Sequence, residues 1–358
     1  MKVCIAGRSL YYPYNGHLWS RLNWALGFRS VDCGVVWLEM VDPEKSAAET
    51  AAGVETLHRI LQGYGIALTV VGGTERDRDG MVSLEDAATA DLLMSHNVDL
   101  PEDILARFRQ TVFIDVDPGM FQRWLRINAL SLPRYDMYVT IGEGVAKTED
   151  GREWHYVPQC VALEAWPVTT GTVDGAFTTV THWWGGRSGK RAGFEPYFDL
   201  PKLTAQPLEL ALFVETDSSG TWSDRIRNEW ENLTERGWRL RDSRTLWDSD
   251  AYQQYIRNSL GEFSCAKPDY VAMNTAWVSD RTLCYLASGK PAIVQYTGPS
   301  QMLPDTGGLF RFRNVDEAVR CLEAAAEDYD ENARLARALA EEHFDARKVV
   351  CRLLERIV

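Results

Sequence analysis

The sequence lacks an excess of basic residues. Its 358 residues include 51 Asp and Glu against 38 Lys and Arg, so the formal net charge is −13. A protein whose main partner is nucleic acid needs a basic face that neutralises phosphates, so this charge argues against nucleic acid as a partner. A small phosphorylated ligand needs only a local group of Lys and Arg side chains, and the composition is compatible with one.

Paired cysteines and long apolar runs are also lacking. The seven cysteines form no Cys-x-x-Cys pair and have no nearby histidine, which predicts reduced and mostly buried thiols in a cytoplasmic protein. No apolar run approaches the roughly 18 residues of a membrane span. The first residues, MKVCIAG, are typical of a strand and not of a signal peptide. We therefore expect a soluble cytoplasmic protein.

Several nucleotide and hydrolase motifs are missing as well. No Gly-x-Gly-x-x-Gly follows a strand, which argues against a dinucleotide-dependent dehydrogenase. No P-loop is present, which argues against ATP hydrolysis, and the Gly-x-Ser-x-Gly elbow of α/β-hydrolases is absent. The length suits two domains of ordinary globular composition.

Short apolar runs alternate with helical patterns twice along the chain. In the first half the predicted strands are Lys2–Ala6, Cys33–Glu39, Ile66–Val71, Asp91–Met94, Thr111–Asp115, Met137–Ile141 and Tyr156–Val157. In the second half they are Phe177–Thr181, Leu208–Val214, Trp238–Arg241, Gly261–Ser264, Ala292–Gln295 and Gly308–Phe312. The runs of the first half are rich in Val and Ile and apolar nearly throughout, which favours parallel strands covered by helices on both faces. The second half repeats the alternation of strands and helices.

A stretch rich in Pro, Gly and Thr, from Trp166 to Gly175, predicts a linker between the two halves. We predict an α/β fold of two Rossmann-like, doubly wound domains that face a cleft, over residues 1–170 and 176–340, with a terminal helix over 341–358. Open α/β sheets bind ligands beyond the carboxyl ends of their strands, so the loops there are expected to carry the site.

Four stretches carry a resemblance to a known family: GHLWSRLNWALGFRS (16–30), VFIDVDPGMFQRW (112–124), GEFSCAKPDYVAMNTAWVSDRTLCYLASGKPAIVQYTG (261–298) and EEHFDARKVVCRLLERI (341–357). They resemble bacterial glycosyltransferases of the GT-B architecture, of the CgeB-like kind, and the third stretch is the most specific. The resemblance covers nearly the whole chain. It implies a nucleotide-sugar donor held mainly by the C-terminal domain, an acceptor held mainly by the N-terminal domain, and a final helix that crosses back to the first domain.

The start of a predicted helix in the third stretch suits a diphosphate, because a helix N-terminus presents free N–H groups and a partial positive charge. Four residues open this helix and are predicted to bind the donor: Ser279, Asp280, Arg281 and Thr282. Arg281 is expected to add a bidentate phosphate contact and Lys267 a point charge. The resemblance places Asp280 near ribose or sugar hydroxyls. Alternatively, Ser279 or Asp280 only caps the helix and Arg281 is a surface residue.

The stretch FTTVTHWWGGRSGK (177–190) provides further donor candidates just after a strand. Two glycines allow the backbone to approach a ligand closely. We predict a phosphate-side role for Gly185, Gly186 and Arg187, where Lys190 and Arg191 add positive charge to an otherwise acidic protein.

Two tryptophans in the same stretch have two alternative roles. Trp183 and Trp184 either stack on a base or a sugar, or close a domain interface beside a basic surface loop. Thr297 and Gly298 follow a later strand, and their small side chains suit a loop near the donor.

His17 is the preferred candidate for a catalytic base, because it follows the first strand and an imidazole titrates near neutrality. In many inverting GT-B enzymes a histidine of this loop deprotonates the acceptor hydroxyl, and the resemblance implies that role here. The alternative is a histidine that caps a helix or packs in the core. The predicted acceptor contacts are Asn15, Gly16, Trp19 and Glu143.

Asp115 and Asp117 end another predicted strand. Carboxylates two residues apart in a strand point the same way, so they suit a divalent metal, as in a different class of glycosyltransferase. That class has essentially one nucleotide-binding domain, whereas this chain shows two. We therefore predict catalytic or acceptor roles for both aspartates, in binding or in orienting His17, and either is an alternative base.

The sequence thus predicts a metal-independent glycosyltransferase of the hexosyltransferase type. It would move a sugar from a nucleotide-diphosphate donor, as co-substrate and without a cofactor, to a hydroxyl of a small-molecule or glycan acceptor. Inversion is preferred and retention is the alternative. Two other functions fit the same architecture, a nucleotide-sugar epimerase and a non-catalytic two-lobed sugar-binding protein.

Overall fold

The computed structural model describes residues 1–10, 15–72, 79–145, 151–169, 175–183, 186, 188–214, 216, 221–303 and 307–357. The chain divides into two compact units. The first comprises Met1–Ala162 together with Asp345–Val358, and the second comprises Leu163–Phe344. The boundary thus precedes residue 170, and the last helix belongs to the first unit.

Over the described residues, each predicted strand is present. In the first unit they are β1 (Lys2–Ala6), β2 (Gly34–Met40), β3 (Ala67–Val71), β4 (Leu92–Ser95), β5 (Thr111–Asp115), β6 (Met137–Thr140) and β7 (Trp154–Tyr156). In the second unit they are β8 (Phe177–His182), β9 (Leu208–Phe213), β10 (Arg239–Asp242), β11 (Gly261–Ser264), β12 (Ala292–Gln295) and β13 (Leu309–Phe312).

Helices connect the strands. In the described ranges they are α1 (Asn15–Ser30), α2 (Ala47–Gly63), α3 (Leu84–Ala87), α4 (Glu102–Leu105), α5 (Met120–Arg126), α6 (Lys190–Phe194), α7 (Asp224–Glu235), α8 (Ser249–Arg257), α9 (Pro268–Ala272), α10 (Asp280–Ala287), α11 (Val315–Glu327), α12 (Tyr329–Leu339) and α13 (Ala346–Ile357). Single 3-10 turns cover Glu143–Val145, Glu195–Tyr197, Leu200–Lys202 and Ser243–Leu246, and a π-helical turn covers Ala340–Phe344.

Both sheets are parallel throughout the described strands. The first has the order β3-β2-β1-β4-β5-β6-β7 and the second the order β10-β9-β8-β11-β12-β13. In each sheet the first three strands run in order from the centre to one edge, and the later strands run in order from the centre to the other edge. The reversal falls between β1 and β4 in the first unit and between β8 and β11 in the second. The prediction of two doubly wound α/β domains is confirmed, and a ligand is expected at these two reversal points.

Helix α2 shows how local sequence sets an element. Ser46 Oγ accepts the N–H of Glu49, and the Glu49 carboxylate accepts the N–H of Ser46 at 2.9 Å, which completes a capping box. Val54 and Leu61 lie on the buried face of the helix. Gly65, with φ of +60°, then turns the chain out of the helix in a conformation that side chains other than glycine rarely adopt.

The last helix packs against the first one within the first unit. Val349, Val350 and Leu353 form its buried face. A Cβ on Gly27 of α1 would lie 2.9 Å from Ala346, so glycine is needed for this close approach. Among the described helices, none is long and apolar enough to cross a membrane.

Candidate functional site

The N-terminus of α10 lies at the carboxyl edge of the second sheet and is not closed by a side chain. Ser279 occupies the N-cap position, but its Oγ lies 3.1 Å from Asp280 Oδ1, and no described side chain accepts an N–H of the first turn. Ser46, Ser223 and Asp248 do cap their helices in that way. The first N–H groups of α10 are therefore left for an anion.

A small pocket opens at this helix end. Its lining comes from the ends of β11 and β12 and from the segment before α10: Ser264, Cys265, Ala266, Trp277, Val278, Ser279, Thr282, Val294 and Gln295. The structure thus places the predicted residues Ser279 and Thr282 in the wall of one pocket. Asp280 is half-buried at the first position of the helix.

The ammonium group of Lys190 is buried beside the same pocket. Its Nζ donates to the carbonyl oxygen of Cys265 at 2.6 Å and lies 5.4 Å from the ring centroid of Trp277. Burial, together with the charges of Arg281 and Lys267, lowers the pKa of Lys190 to about 7. A buried lysine whose pKa is lowered by burial and by neighbouring cations is a candidate for an anion-binding site.

Gly193 fixes the position of Lys190. A Cβ at residue 193 would lie 1.9 Å from the carbonyl oxygen of Ala266, so only glycine lets α6 pack this closely on the segment after β11. The positive charge of Lys190 is evident from the sequence, but its place at the donor site was not predicted. Neither its burial nor its contact with Cys265 is visible from local sequence.

Arg281 is placed differently from the predicted phosphate contact. Its Nε and Nη2 donate to Glu262 Oε1 at 2.8 and 2.6 Å, and its Nη1 donates to the carbonyl oxygen of Val180 at 2.8 Å. Nη2 also donates to Ser264 Oγ at 2.7 Å. Glu262 is fully buried. The guanidinium therefore joins β8, β11 and α10 from the inside and orients the helix end, instead of facing a ligand.

The other predicted donor residues also divide between ligand-facing and supporting positions. Lys267 is half-buried, with its Nζ 5.7 Å from the ring centroid of Tyr270, and its charge acts on Lys190. Thr297 and Gly298 are buried. Thr297 Oγ1 donates to the carbonyl oxygen of Trp277 at 2.8 Å, and a Cβ on Gly298 would meet the backbone of residue 274 at 2.8 Å. These two residues hold the segment before α10.

The glycine and arginine predictions after β8 lie mostly outside the described residues. That applies to Gly185 and Arg187, and also to Trp184. Gly186 is exposed, with φ of +95°, and its carbonyl oxygen accepts the N–H of Gly189 at 3.2 Å. Gly186 thus shapes the turn that leads into α6.

Trp183 belongs to the core of the second unit. It is buried against Phe194 and Phe198, with ring centroids 5.6 and 6.1 Å away. Its Nε1 donates to Glu229, which also accepts Arg191 Nε at 2.6 Å. Trp183 is therefore a core residue, which is neither of the two roles predicted for it. Arg191 is part of an internal ion pair.

An aromatic row that sequence analysis missed follows the carboxyl edge of the second sheet. The ring centroids of His182 and Phe213 are 4.9 Å apart, and those of Phe213 and Trp247 are 6.1 Å apart. Burial, and then the charge of Lys267, lower the pKa of His182 to about 4, so the ring is neutral at pH 7. Trp247 is 40% exposed. The exposed ring of Trp247 forms one end of the row, and His182, on which the charge of Lys267 acts, forms the other.

In the first unit, His17 lies in the first turn of α1, which follows β1 at the reversal point. The residue is half-buried, and its carbonyl oxygen accepts hydrogen bonds from Ser20 Oγ at 2.9 Å and Arg21 Nη1 at 3.0 Å. Asn15 and Gly16 precede it in the same turn. The position matches that expected of a residue facing a ligand of this sheet.

A second histidine, His96, lies across the reversal point, directly after β4. It is 6% exposed, and neither of its ring nitrogens has a hydrogen-bond partner among the described residues. Burial, and then the charge of Arg21, lower the pKa of His96 well below its usual value, so it is neutral. A buried neutral imidazole with both nitrogens unused can bind a hydroxyl group. Its burial depends on tertiary packing, which no local sequence pattern reveals.

The loops at this point are tied together. Asn97 Nδ2 donates to the carbonyl oxygen of Gly7 at 2.7 Å, and Glu39 Oε1 accepts the N–H of Ser9 at 2.8 Å and Trp37 Nε1 at 2.9 Å. A Cβ on Gly7 would lie 2.2 Å from Trp37 Nε1. A small pocket opens there, lined by Gly7, Arg8, Glu39, Met40, Asn97 and Asp99.

Asp115 is buried and satisfied, which differs from its predicted catalytic role. Its Oδ1 accepts the N–H of Asp117 at 3.0 Å, and its Oδ2 accepts Gln122 Nε2 at 2.8 Å and Thr140 Oγ1 at 3.3 Å. Burial raises the pKa of Asp115 to about 7. The carboxyl group therefore joins β5, α5 and β6.

Asp117 is half-buried beyond β5, and its Oδ1 accepts the N–H of Met120 at 3.3 Å. Glu143 is half-buried after β6 at the same edge. Within the described ranges, no group of three or more His, Cys, Asp and Glu side chains is arranged to hold a metal ion. Trp19, predicted to contact the acceptor, is 1% exposed and packs edge-on against Tyr64 at 6.3 Å, so it is a core residue.

Solved structures with the same fold include glycosyltransferases. HepE (Alr3699) of Anabaena, in complex with UDP and glucose, has a TM-score of 0.59 at 13% identity over 100% of this chain and 99% of that one. An α-glucosyltransferase in complex with UDP and a 13-mer DNA containing a central A:G mismatch has a TM-score of 0.59 at 12% identity, over 100% and 99%. AviGT4, a glycosyltransferase involved in avilamycin A biosynthesis, has a TM-score of 0.54 at 13% identity, over 99% and 96%.

At these identities the likeness shows the fold, which is the GT-B architecture of two Rossmann-like domains. No protein-family model matches the sequence. No curated protein matches it either.

Proposed function

We propose that the protein is a glycosyltransferase that moves a sugar from a nucleoside-diphosphate sugar to an acceptor hydroxyl. The observation that carries this proposal is the uncapped N-terminus of α10 beside buried Lys190 and half-buried Lys267. These groups lie in one unit, at the sheet edge where such folds bind ligands. UDP in the solved structures of the same fold supports a nucleoside diphosphate as the anion.

The proposed chemistry is a displacement at the anomeric carbon. The acceptor oxygen forms a bond to that carbon as the bond from the carbon to the diphosphate oxygen breaks, and the nucleoside diphosphate leaves. The N–H groups of α10 and the ammonium groups of Lys190 and Lys267 stabilise the negative charge that develops on the phosphate, without a metal. His17 of the first unit takes the proton of the acceptor hydroxyl, and the configuration inverts.

Replacing His17 with alanine tests the base. We expect kcat/KM for transfer to fall roughly a hundredfold or more, while the melting temperature and the affinity for UDP stay unchanged. The measurement is transfer from UDP-glucose to a panel of small alcohols and glycans. Turnover within a few-fold of the unchanged protein, with intact folding, would remove His17 from this role.

Incubation with donor alone separates the alternatives, because an epimerase converts the sugar without an acceptor and a binding protein converts nothing.

The aromatic row makes a separate prediction about the nucleobase. A base stacked on Trp247 contributes affinity that pyrophosphate lacks, so Trp247→Ala is expected to weaken UDP binding roughly tenfold and leave pyrophosphate binding unchanged. Isothermal titration with both ligands measures the difference. Trp124→Ala is the matched control, since Trp124 is 42% exposed in the other unit. Equal UDP affinity in the Trp247 and Trp124 variants would show that the base binds elsewhere.

A further inference from the structure

A second cavity lies in the first unit, at the carboxyl ends of β2 and β3. Its volume is about 320 Å³. Six of its ten lining residues have small apolar side chains: Val41, Pro43, Ala47, Ala51, Val54 and Val70. A space of this size lies at the lower end of the range for small-molecule sites, and it suits one ring system.

The apolar part of the cavity lining comes largely from one face of α2. Ala47, Ala51 and Val54 recur at intervals of four and three residues, so they lie on one face of α2. Asp42, Lys45 and Thr50 also line the cavity, and the first two make hydrogen bonds within the protein. Asp42 Oδ1 accepts the N–H of Glu44 at 3.0 Å, and Lys45 Nζ donates to the carbonyl oxygen of Leu10. An apolar group gains from burial here, whereas a sugar would lose hydrogen bonds to water.

The cavity lies at the same edge of the first sheet as the end of β1, since β2 is the neighbour of β1 in that sheet. Lys45 contacts Leu10, and a Cβ on Gly53 of α2 would lie 3.1 Å from the Leu10 side chain. Leu10 is part of the segment that connects β1 to α1, where His17 lies. A ligand that fills the cavity therefore lies at the sheet edge where β1 ends and from which the chain continues to α1 and His17.

We propose that this cavity binds the apolar part of the acceptor. The acceptor is then an alcohol or phenol attached to a hydrocarbon or aromatic ring system, and not a wholly polar glycan. This inference rests on the proposed function, because an acceptor exists only if the protein is a transferase. The hydroxyl of that acceptor points out of the cavity and is the group that receives the sugar.

The test uses 2-naphthol as the probe for the cavity and UDP as the probe for the donor site, with the full chain. Ala51→Trp and Ala47→Trp fill the cavity from exposed positions, so folding is expected to be unchanged. Ala52→Trp is the control, since Ala52 is also exposed on α2 but does not line the cavity. Equilibrium dialysis measures both ligands.

We expect saturable 2-naphthol binding to the unchanged protein and to Ala52→Trp, and at least about tenfold weaker binding to both cavity-filling variants. UDP affinity is expected to be equal in all four proteins. If UDP binds but 2-naphthol does not, or if all three variants bind 2-naphthol equally, the acceptor inference is overturned and the proposed function stands. If 2-naphthol binds in the cavity but UDP binds nowhere, the proposed function fails and the acceptor role fails with it.

Discussion

A Lys190→Met variant is expected to bind UDP roughly a hundredfold more weakly than the unchanged protein. The ammonium group lies between the carbonyl oxygen of Cys265 and the ring of Trp277, out of water, where hydrogen bonds to a charged partner are strong. Methionine keeps much of the length and apolar stem of lysine but removes the charge. Because an unliganded buried charge is costly, the melting temperature of the variant is expected to be unchanged or higher.

The same residue gives UDP binding a pH dependence with a definite sign. Lys190 has a pKa of about 7 without ligand, and a diphosphate raises that pKa because the anion favours the ammonium form. The stabilisation of the complex is therefore full below pH 7 and is lost as the pH rises above it. UDP affinity is expected to fall between pH 7 and 9, where the diphosphate is ionised since its last pKa is about 6.

Lys190→Met provides the control for that profile, because it lacks the titrating group and its affinity is expected to vary little over the same range. Titration calorimetry at several pH values measures both proteins. An unchanged UDP affinity in the variant, or parallel pH profiles for the two proteins, would remove Lys190 from the donor site.

The second large effect concerns the buried ion pair of Glu262 and Arg281. Replacing Glu262 with alanine leaves the Arg281 guanidinium buried without its anion, which is expected to lower the free energy of unfolding by about 3–5 kcal/mol. Denaturant titration measures the loss. Glu262→Met combined with Arg281→Met removes both charges, and this double variant is expected to recover most of the stability.

The double variant also decides between two roles for Arg281. If the guanidinium only orients α10, UDP affinity in the folded double variant is expected to stay within about tenfold of the unchanged protein. A loss of UDP affinity as large as that of Lys190→Met would show that Arg281 contacts phosphate, as the sequence analysis predicted. A Glu262→Ala protein as stable as the unchanged one would contradict the structural role of the pair.

Most strands were predictable because they are short apolar runs that end at turn residues; β10, with the sequence RLRD, is an exception. β5 and β12 match their predicted ranges residue for residue, since both are buried on two sides. β7 was predicted at Tyr156–Val157 and is found at Trp154–Tyr156. That strand lies at the edge of its sheet and is only partly buried, so its apolar signal is weak.

Site features that depend on the local backbone could be predicted from the sequence. Side-chain directions that depend on a partner far along the chain could not. The start of α10 follows from the helical pattern after Ser279. The direction of the Arg281 side chain depends on Glu262, which lies on another element, 19 residues away. The Asp115 carboxylate likewise accepts hydrogen bonds from Gln122 and Thr140, so it is not available as a ligand group. Sequence spacing gives no measure of such contacts.

The packing of α13 on α1 has a consequence for synthesis. A ribosome makes the protein from the N-terminus, so residues 163–344 are all translated before α13 exists. Until then the face of α1 around Gly27, which α13 covers, has no partner. The N–H of Ala346 also has yet to reach the carbonyl oxygen of Val161, with which it forms a hydrogen bond of 3.0 Å. The first unit is thus begun first but completed last, which reverses the usual order of co-translational folding.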